Sequence, residues 1–193
     1  KHAKMSLNPK MNFAFAAEAN AVPINMIEFP HVAPYYPITF SASDPSTPLA
    51  ILGLKNKENL FVSDDGEWAA NHYIPAYVRR YPFIVSQSNT NGRLTLCIDD
   101  VKGVMAKNKK KPFFIKKNPT DLTKNALDFC RSYQQAALKT EKMMKALKET
   151  GILSDRHVQI RTPEGKLSTL SGFLAVDEQK FKALPDETVV EWH

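Results

Sequence analysis

At 193 residues, with 43% apolar and 10% aromatic side chains, the chain can bury a proper core as one large or two small domains, which excludes a disordered polypeptide. Its net charge of +6 is local, because Lys102, Lys107, Lys109, Lys110, Lys111, Lys116 and Lys117 share one acid-free stretch that outweighs the total. Cys97 and Cys130 are too few for a disulfide framework and lack Cys-x-x-Cys spacing, so neither secretion nor a zinc site follows from them and they read as two buried thiols.

Residues 11–29 are broken by Glu18, Asn20, Pro23, Asn25 and Glu28, and no run reaches the roughly 20 apolar residues of a membrane-spanning helix. A soluble protein without membrane insertion is expected. The chain opens on Lys1 and stops inside the apolar piece Val189-Val190-Glu191-Trp192, so it reads as a piece of a longer protein. Six of the thirteen prolines fall between Pro23 and Pro48, where short turns must replace long helices, since proline lacks the N–H donor and restrains its predecessor. Residues 38–42 and 49–54 read as an antiparallel pair around Asp44-Pro45-Ser46. Residues 60–62 and 67–68 flank Asp64-Asp65-Gly66, a tight hairpin turn.

Between 69 and 80, Ala70, Tyr73, Ile74, Tyr77 and Val78 keep a helical period, with Pro75 limiting its regularity and Pro82 ending it. Residues 83–86 and 94–98 form a further strand pair around Asn89-Thr90-Asn91-Gly92. The lysine-rich stretch that follows reads as a solvated loop, although Phe113 and Phe114 beside it could stack on bases, so a nucleic-acid role is not expected. From Asp121 to Thr150, Leu122, Ala126, Phe129, Cys130, Tyr133, Ala137, Met144 and Leu147 recur every three or four residues, which predicts a long amphipathic helix covering the sheet. Thr120 is the predicted N-cap and Gly151 the predicted C-terminal close. Residues 158–161 and 166–170 then form a hairpin around Pro163-Glu164-Gly165, 172–176 a further strand, and 177–181 open a short helix. The fold class is α+β: a mainly antiparallel, hairpin-rich sheet packed against one long amphipathic helix in a single domain.

No dinucleotide fingerprint, phosphate loop, His-Glu-x-x-His or Gly-x-Ser-x-Gly motif occurs, and His2, His31, His72, His157 and His193 show no metal-ligand spacing. Glu28 and His31 sit three apart, but Pro30 and Pro34 make a surface turn the better reading than a metal site. Cys97 lies in a strand as a small hydrophobe, and Asp99 and Asp100 point to opposite faces, so neither supplies catalysis. No catalytic residue, metal or cofactor is therefore assigned.

What stands out is W-A-A-N-H-Y-I-P-A-Y-V-R-R-Y-P-F at 68–83, a mixture of aromatics, prolines and an arginine pair that ordinary packing seldom needs. Guanidinium groups keep their charge and grip carboxylates with two parallel hydrogen bonds, so Arg79 and Arg80 with Trp68, Tyr73, Tyr77, Tyr81 and Glu28 form a candidate ligand- or partner-binding set. The structural alternative has both arginines salt-bridged to acids such as Glu28 or Asp99 and stacked on tyrosines as braces.

In order, A-N-A-V-P (19–23), E-F-P (28–30), Y-P-I-T-F (36–40), L-A-I-L-G-L-K-N-K-E-N-L-F-V (49–62), Y-I-P-A-Y-V-R-R-Y-P-F (73–83), L-T-L-C-I-D (94–99) and G-F-L-A-V-D-E (172–178) resemble the SapC family of bacterial proteins. The lysine-rich loop is not part of that pattern. The resemblance implies a single domain truncated at its C-terminus and a surface-layer (S-layer) related role. It brings no catalytic residue set and does not extend to the similarly named permease subunit of a peptide transporter, which is a membrane protein. Related genes beside TonB-dependent receptors, tryptophan halogenases and cupin-like oxygenases imply a second possibility, a peptide- or small-anion-binding partner of an iron-dependent oxygenase. The expected protein is thus a non-enzymatic binding or accessory protein with a protein or peptide partner, cytoplasmic or alternatively at the cell surface.

Overall fold

The structure is a computed structural model that describes residues 2, 5–43, 46–87, 94–107, 111–161, 165 and 167–190. Strands are β1 (Ser6–Leu7), β2 (Ala21–Pro23), β3 (Ile38–Ser41), β4 (Pro48–Ile51), β5 (Phe83–Gln87), β6 (Leu94–Ile98), β7 (Met105–Ala106), β8 (Phe114–Ile115), β9 (Asn118–Pro119), β10 (Leu153–Arg161) and β11 (Leu167–Val176). Helices are α1 (Phe29–Val32), α2 (Ala76–Arg79), α3 (Asp121–Thr150), α4 (Glu178–Lys182) and α5 (Asp186–Val190), with 3-10 turns at Phe13–Ala16 and Met26–Glu28. The expected α+β class is what the chain adopts. Every named strand pair is antiparallel, in a five-stranded sheet of order β10-β11-β3-β4-β2 and three two-stranded ribbons. Among the described residues no helix is long and apolar enough to cross a membrane.

Two apolar clusters divide the interior. The first gathers Val22, Ile24, Val32, Tyr36, Ala50, Leu52, Trp68 and Val78 beside the sheet. Ile24 and Leu52 are about 1% exposed, and a fully buried aliphatic side chain of this size contributes roughly 1.5–3 kcal/mol. The second cluster joins Phe83, Phe113 and Cys130, with Val85, Leu96, Leu122 and Ala126 packed around them. It lies between the β5–β6 ribbon and the N-terminal half of α3. Val78 belongs to the first cluster and Phe83 to the second, so the chain from Arg79 to Pro82 crosses from one core to the other.

Several sequence expectations need correction. Of the stretch 69–80 only Ala76–Arg79 is helical, because Pro75 takes the N-cap position and Asn71 adopts a left-handed φ of 61°. Helix α3 has the predicted bounds and packs chiefly on β5, β6 and the Met26–Glu28 turn, while Tyr133, Ala137 and Met144 share a hollow with Pro23 and Pro48 of the large sheet. Thr120 occupies the N-cap position with extended backbone, yet its hydroxyl donates to the carbonyls of Pro112 (2.8 Å) and Phe113 (3.1 Å) and leaves the helix uncapped by a side chain. Gly151 closes the helix with φ 66°, the left-handed turn that glycine adopts without strain.

Residues 167–176, expected as two strands, form one. In the β10–β11 register His157 alone faces the two residues Ser171 and Gly172, a β-bulge that Gly172 permits with φ 83°. The bridge Val62–Trp68 closes the expected hairpin at Asp64-Asp65-Gly66. Cys130 is buried as expected, while Cys97 is only half-buried. The turns expected at Asp44-Pro45 and at 89–92, together with Pro163-Glu164, Lys109 and Lys110, lie outside the described residues.

Candidate functional site: two guanidinium groups on aromatic faces

The site starts from a buried carboxylate. The Met26–Glu28 turn folds Glu28 back so that its Oε2 accepts the Asn25 N–H at 2.9 Å, a capping arrangement that tucks the side chain inward at 4% exposure. Its Oε1 accepts two more bonds, from the Ala76 N–H at 2.7 Å and the Tyr73 hydroxyl at 3.0 Å. Glu28 therefore ties the start of α2 to the turn. Among the described residues no cation lies within ion-pair distance of it.

Arg79 leaves the exposed side of α2, whose other face buries Ala76 and Val78. Its Nε donates to the Ile74 carbonyl at 2.9 Å and its Nη2 to the Tyr73 hydroxyl at 3.0 Å. The Tyr73 oxygen thus accepts from Arg79 while donating to Glu28, so cation and anion communicate through a phenol without touching. The Arg79 guanidinium lies 5.4 Å from the Tyr73 ring centre and 5.3 Å from that of Phe129. Arg80 is seated in the same fashion, 4.5 Å from Tyr77 and 4.8 Å from Tyr133. Cation–π seating of this kind contributes roughly 0.5–1 kcal/mol at exposed positions. It also leaves guanidinium N–H groups unused: among the described residues the Arg80 side chain makes no hydrogen bond and no ion pair.

Electrostatics follow from this packing. Burial, reinforced by the Glu28 charge and opposed by Arg79, pushes the Tyr73 hydroxyl above its ordinary pKa of 10.0. Burial pushes Tyr133 up to about 12, with Arg80 working against it. Cys130 is also raised, by burial, with Arg80 opposing. A thiol held protonated in this way is the opposite of an activated nucleophile. All three groups serve as neutral walls to the cations.

The arginines line more than one hollow. A cleft of about 760 Å³ is lined by Arg79, Arg80, Lys111, Asn125, Phe129 and Cys130 among others. On the far side Arg80 lines a second cleft of about 540 Å³ with Phe15, Tyr77, Tyr81 and Asp99. Arg79 also lines a smaller hollow of about 270 Å³ with Glu28, His31, Tyr73 and Tyr133. A carboxylate entering the large cleft meets two guanidiniums and one ammonium against the single carboxylate of Asp121, over an apolar floor, a setting for bidentate hydrogen bonding with an apolar tail alongside.

Of the residues singled out from the sequence, the structure groups Glu28, Tyr73 and Arg79 in one network and Tyr77 with Arg80 in a stack. Tyr81 stands beside them, stacked on Phe15 at 4.0 Å with its hydroxyl donated to Asp99 at 3.1 Å. Trp68 is elsewhere: it is 8% exposed in the first core and donates its indole N–H to Tyr36 at 3.1 Å. Neither arginine salt-bridges Glu28 or Asp99, although both stack on tyrosines. Phe129 and Tyr133, read from the sequence as part of a sheet-covering stripe, supply half of the aromatic seating. Their signal was available, since they lie four apart on one face of α3, but the partner of that face was not. His31, stacked on Tyr73 at 5.5 Å, completes the wall. Among the described residues no group of three or more His, Cys, Asp or Glu side chains could hold a metal ion.

The sequence profile of the SapC family matches residues 1–193, the whole chain. No curated protein and no solved structure matches it.

Proposed function

Because the chain belongs to the SapC family over its whole length, we propose that it is a non-enzymatic binding module of surface-layer assembly or export, and that it holds a carboxylate of a protein or peptide partner against Arg79 and Arg80. The observation that carries this reading is the seating of both guanidiniums on aromatic faces at the edge of a cleft, with no acidic side chain among the described residues paired to either. Binding favours such a seat because rings fix the orientation of the cation without competing for its N–H donors. Catalysis finds less support, since the thiol and the phenols at the site are held in their neutral forms.

The cleft volume of about 760 Å³ also suits a compact ligand. That observation supports a second reading, capture of a small anion or peptide for an iron-dependent oxygenase.

Calorimetric titration separates the two. An N-acetylated tetrapeptide of leucine and alanine with a free C-terminal carboxylate is expected to bind, and its C-terminal amide to bind at least about tenfold more weakly. A small dicarboxylate binding as tightly as the peptide favours the second reading. Arg80→Ala is expected to cost at most about 1 kcal/mol of stability, since only cation–π contacts are lost, while peptide affinity drops about tenfold or more. Undiminished affinity in that variant, or equal binding of acid and amide, rules the reading out.

A further inference from the structure

The five-stranded sheet ends on β10, whose outer edge has no neighbouring strand among the described residues. Strand β11 pairs with β3 through Phe173 and Leu174 alone, so residues 157–161 and 167–172 extend past the sheet as a two-stranded arm. Val158 is 48% exposed and Leu167 65%. A two-stranded ribbon is marginal in water, and an open row of N–H and C=O groups recruits another strand. Asp155 and Arg161 are both exposed, and neither has an ion-pair partner among the described residues. Arg156 is engaged within the chain, 3.1 Å from the Asp177 carboxylate.

We propose that β10 pairs with β10 of a second copy of this chain, antiparallel about a two-fold axis at Val158. A two-fold axis normal to a sheet keeps every residue on its own face, so the pairing must centre on a residue. Centred on Val158, Asp155 of each copy falls opposite Arg161 of the other, twice over, while Val158 meets Val158 and His157 meets Gln159. Centred on His157, Asp155 would face Gln159 and Leu153 would face Arg161. Centred on Gln159, His157 would face Arg161, and centred on Arg156, two arginines would meet. Of these registers, the Val158 register alone pairs opposite formal charges without opposing like ones. Cross-strand charge pairs of this kind stabilise a ladder, whereas like charges destabilise it.

Sedimentation equilibrium of the whole chain from about 10 µM to about 1 mM tests the pairing. The mass is expected to rise with concentration from that of one chain toward that of two. Asp155→Arg places like charges across the ladder and is expected to weaken association at least about tenfold. Combining it with Arg161→Asp restores the opposite charges and is expected to restore association. A one-chain mass at every concentration overturns the proposal, as does association that the single variant leaves unchanged or that the double variant fails to recover.

Discussion

Glu28 shows how one residue organises the site. Its carboxylate is 4% exposed and accepts from two backbone N–H groups and one phenol. Replacing it by alanine would strand those donors, and buried hydrogen bonds to a charged group are worth roughly 1.5–3 kcal/mol each before relaxation. Glu28→Ala is therefore expected to lower unfolding free energy by about 2–4 kcal/mol in urea titration; a loss below about 1 kcal/mol would mean that water replaces the carboxylate without strain. Tyr133 gives a pH test. Its folded pKa of about 12 lies above the ordinary 10.0, so the unfolded chain releases the phenolic proton first. The stabilising contribution is whole below pH 10 and declines as pH rises through 12, on the order of 2–3 kcal/mol in all. Tyr133→Phe should flatten the fall in stability between those pH values relative to the parent chain. Identical slopes would show that the phenol is solvated.

Helix α3 displays both the reach of the sequence pattern and its limit. Its bounds follow from periodicity, the following glycine and the preceding threonine, all local signals, and the structure gives Asp121–Thr150. The packing partner does not follow, because an apolar stripe is equally at home on a sheet, a ribbon or a set of turns. Thr140 makes the point. Placed one helical turn from Ala136 and Met144, it looks like an interruption of the stripe, yet its hydroxyl accepts the Met26 N–H at 3.0 Å and donates to the Ala136 carbonyl at 2.8 Å. Thr140→Val keeps the shape and removes the acceptor, so a loss of about 1–2 kcal/mol is expected by thermal or urea unfolding. An unchanged midpoint would show that Met26 finds water instead. The stretch 69–80 fails in the opposite direction. Apolar spacing alone suggested three turns of helix, and Pro75 with the left-handed Asn71 reduced it to Ala76–Arg79.

Across the whole molecule, the arginine pair sits where the chain passes from one core cluster to the other, between Val78 and Phe83. That position was invisible to a reading by segments, since it depends on α3 returning from more than forty residues downstream to place Phe129 and Tyr133. The composition of 68–83 did mark the region, because arginines between tyrosines and prolines need a specific neighbourhood. Trp68 shared the composition but went to the core, where an indole finds both burial and a hydroxyl acceptor. The central claim is that the Arg80 guanidinium, together with the Arg79 N–H groups that Ile74 and Tyr73 leave unused, remains free to grip a carboxylate. A nuclear magnetic resonance titration that follows the side-chain Nε–H signal of Arg80 tests it most directly, with the free-acid tetrapeptide as probe and its amide as control. That signal should shift saturably with the acid and stay in place with the amide; a signal that ignores the acid while the rest of the spectrum shows an intact fold would contradict the claim.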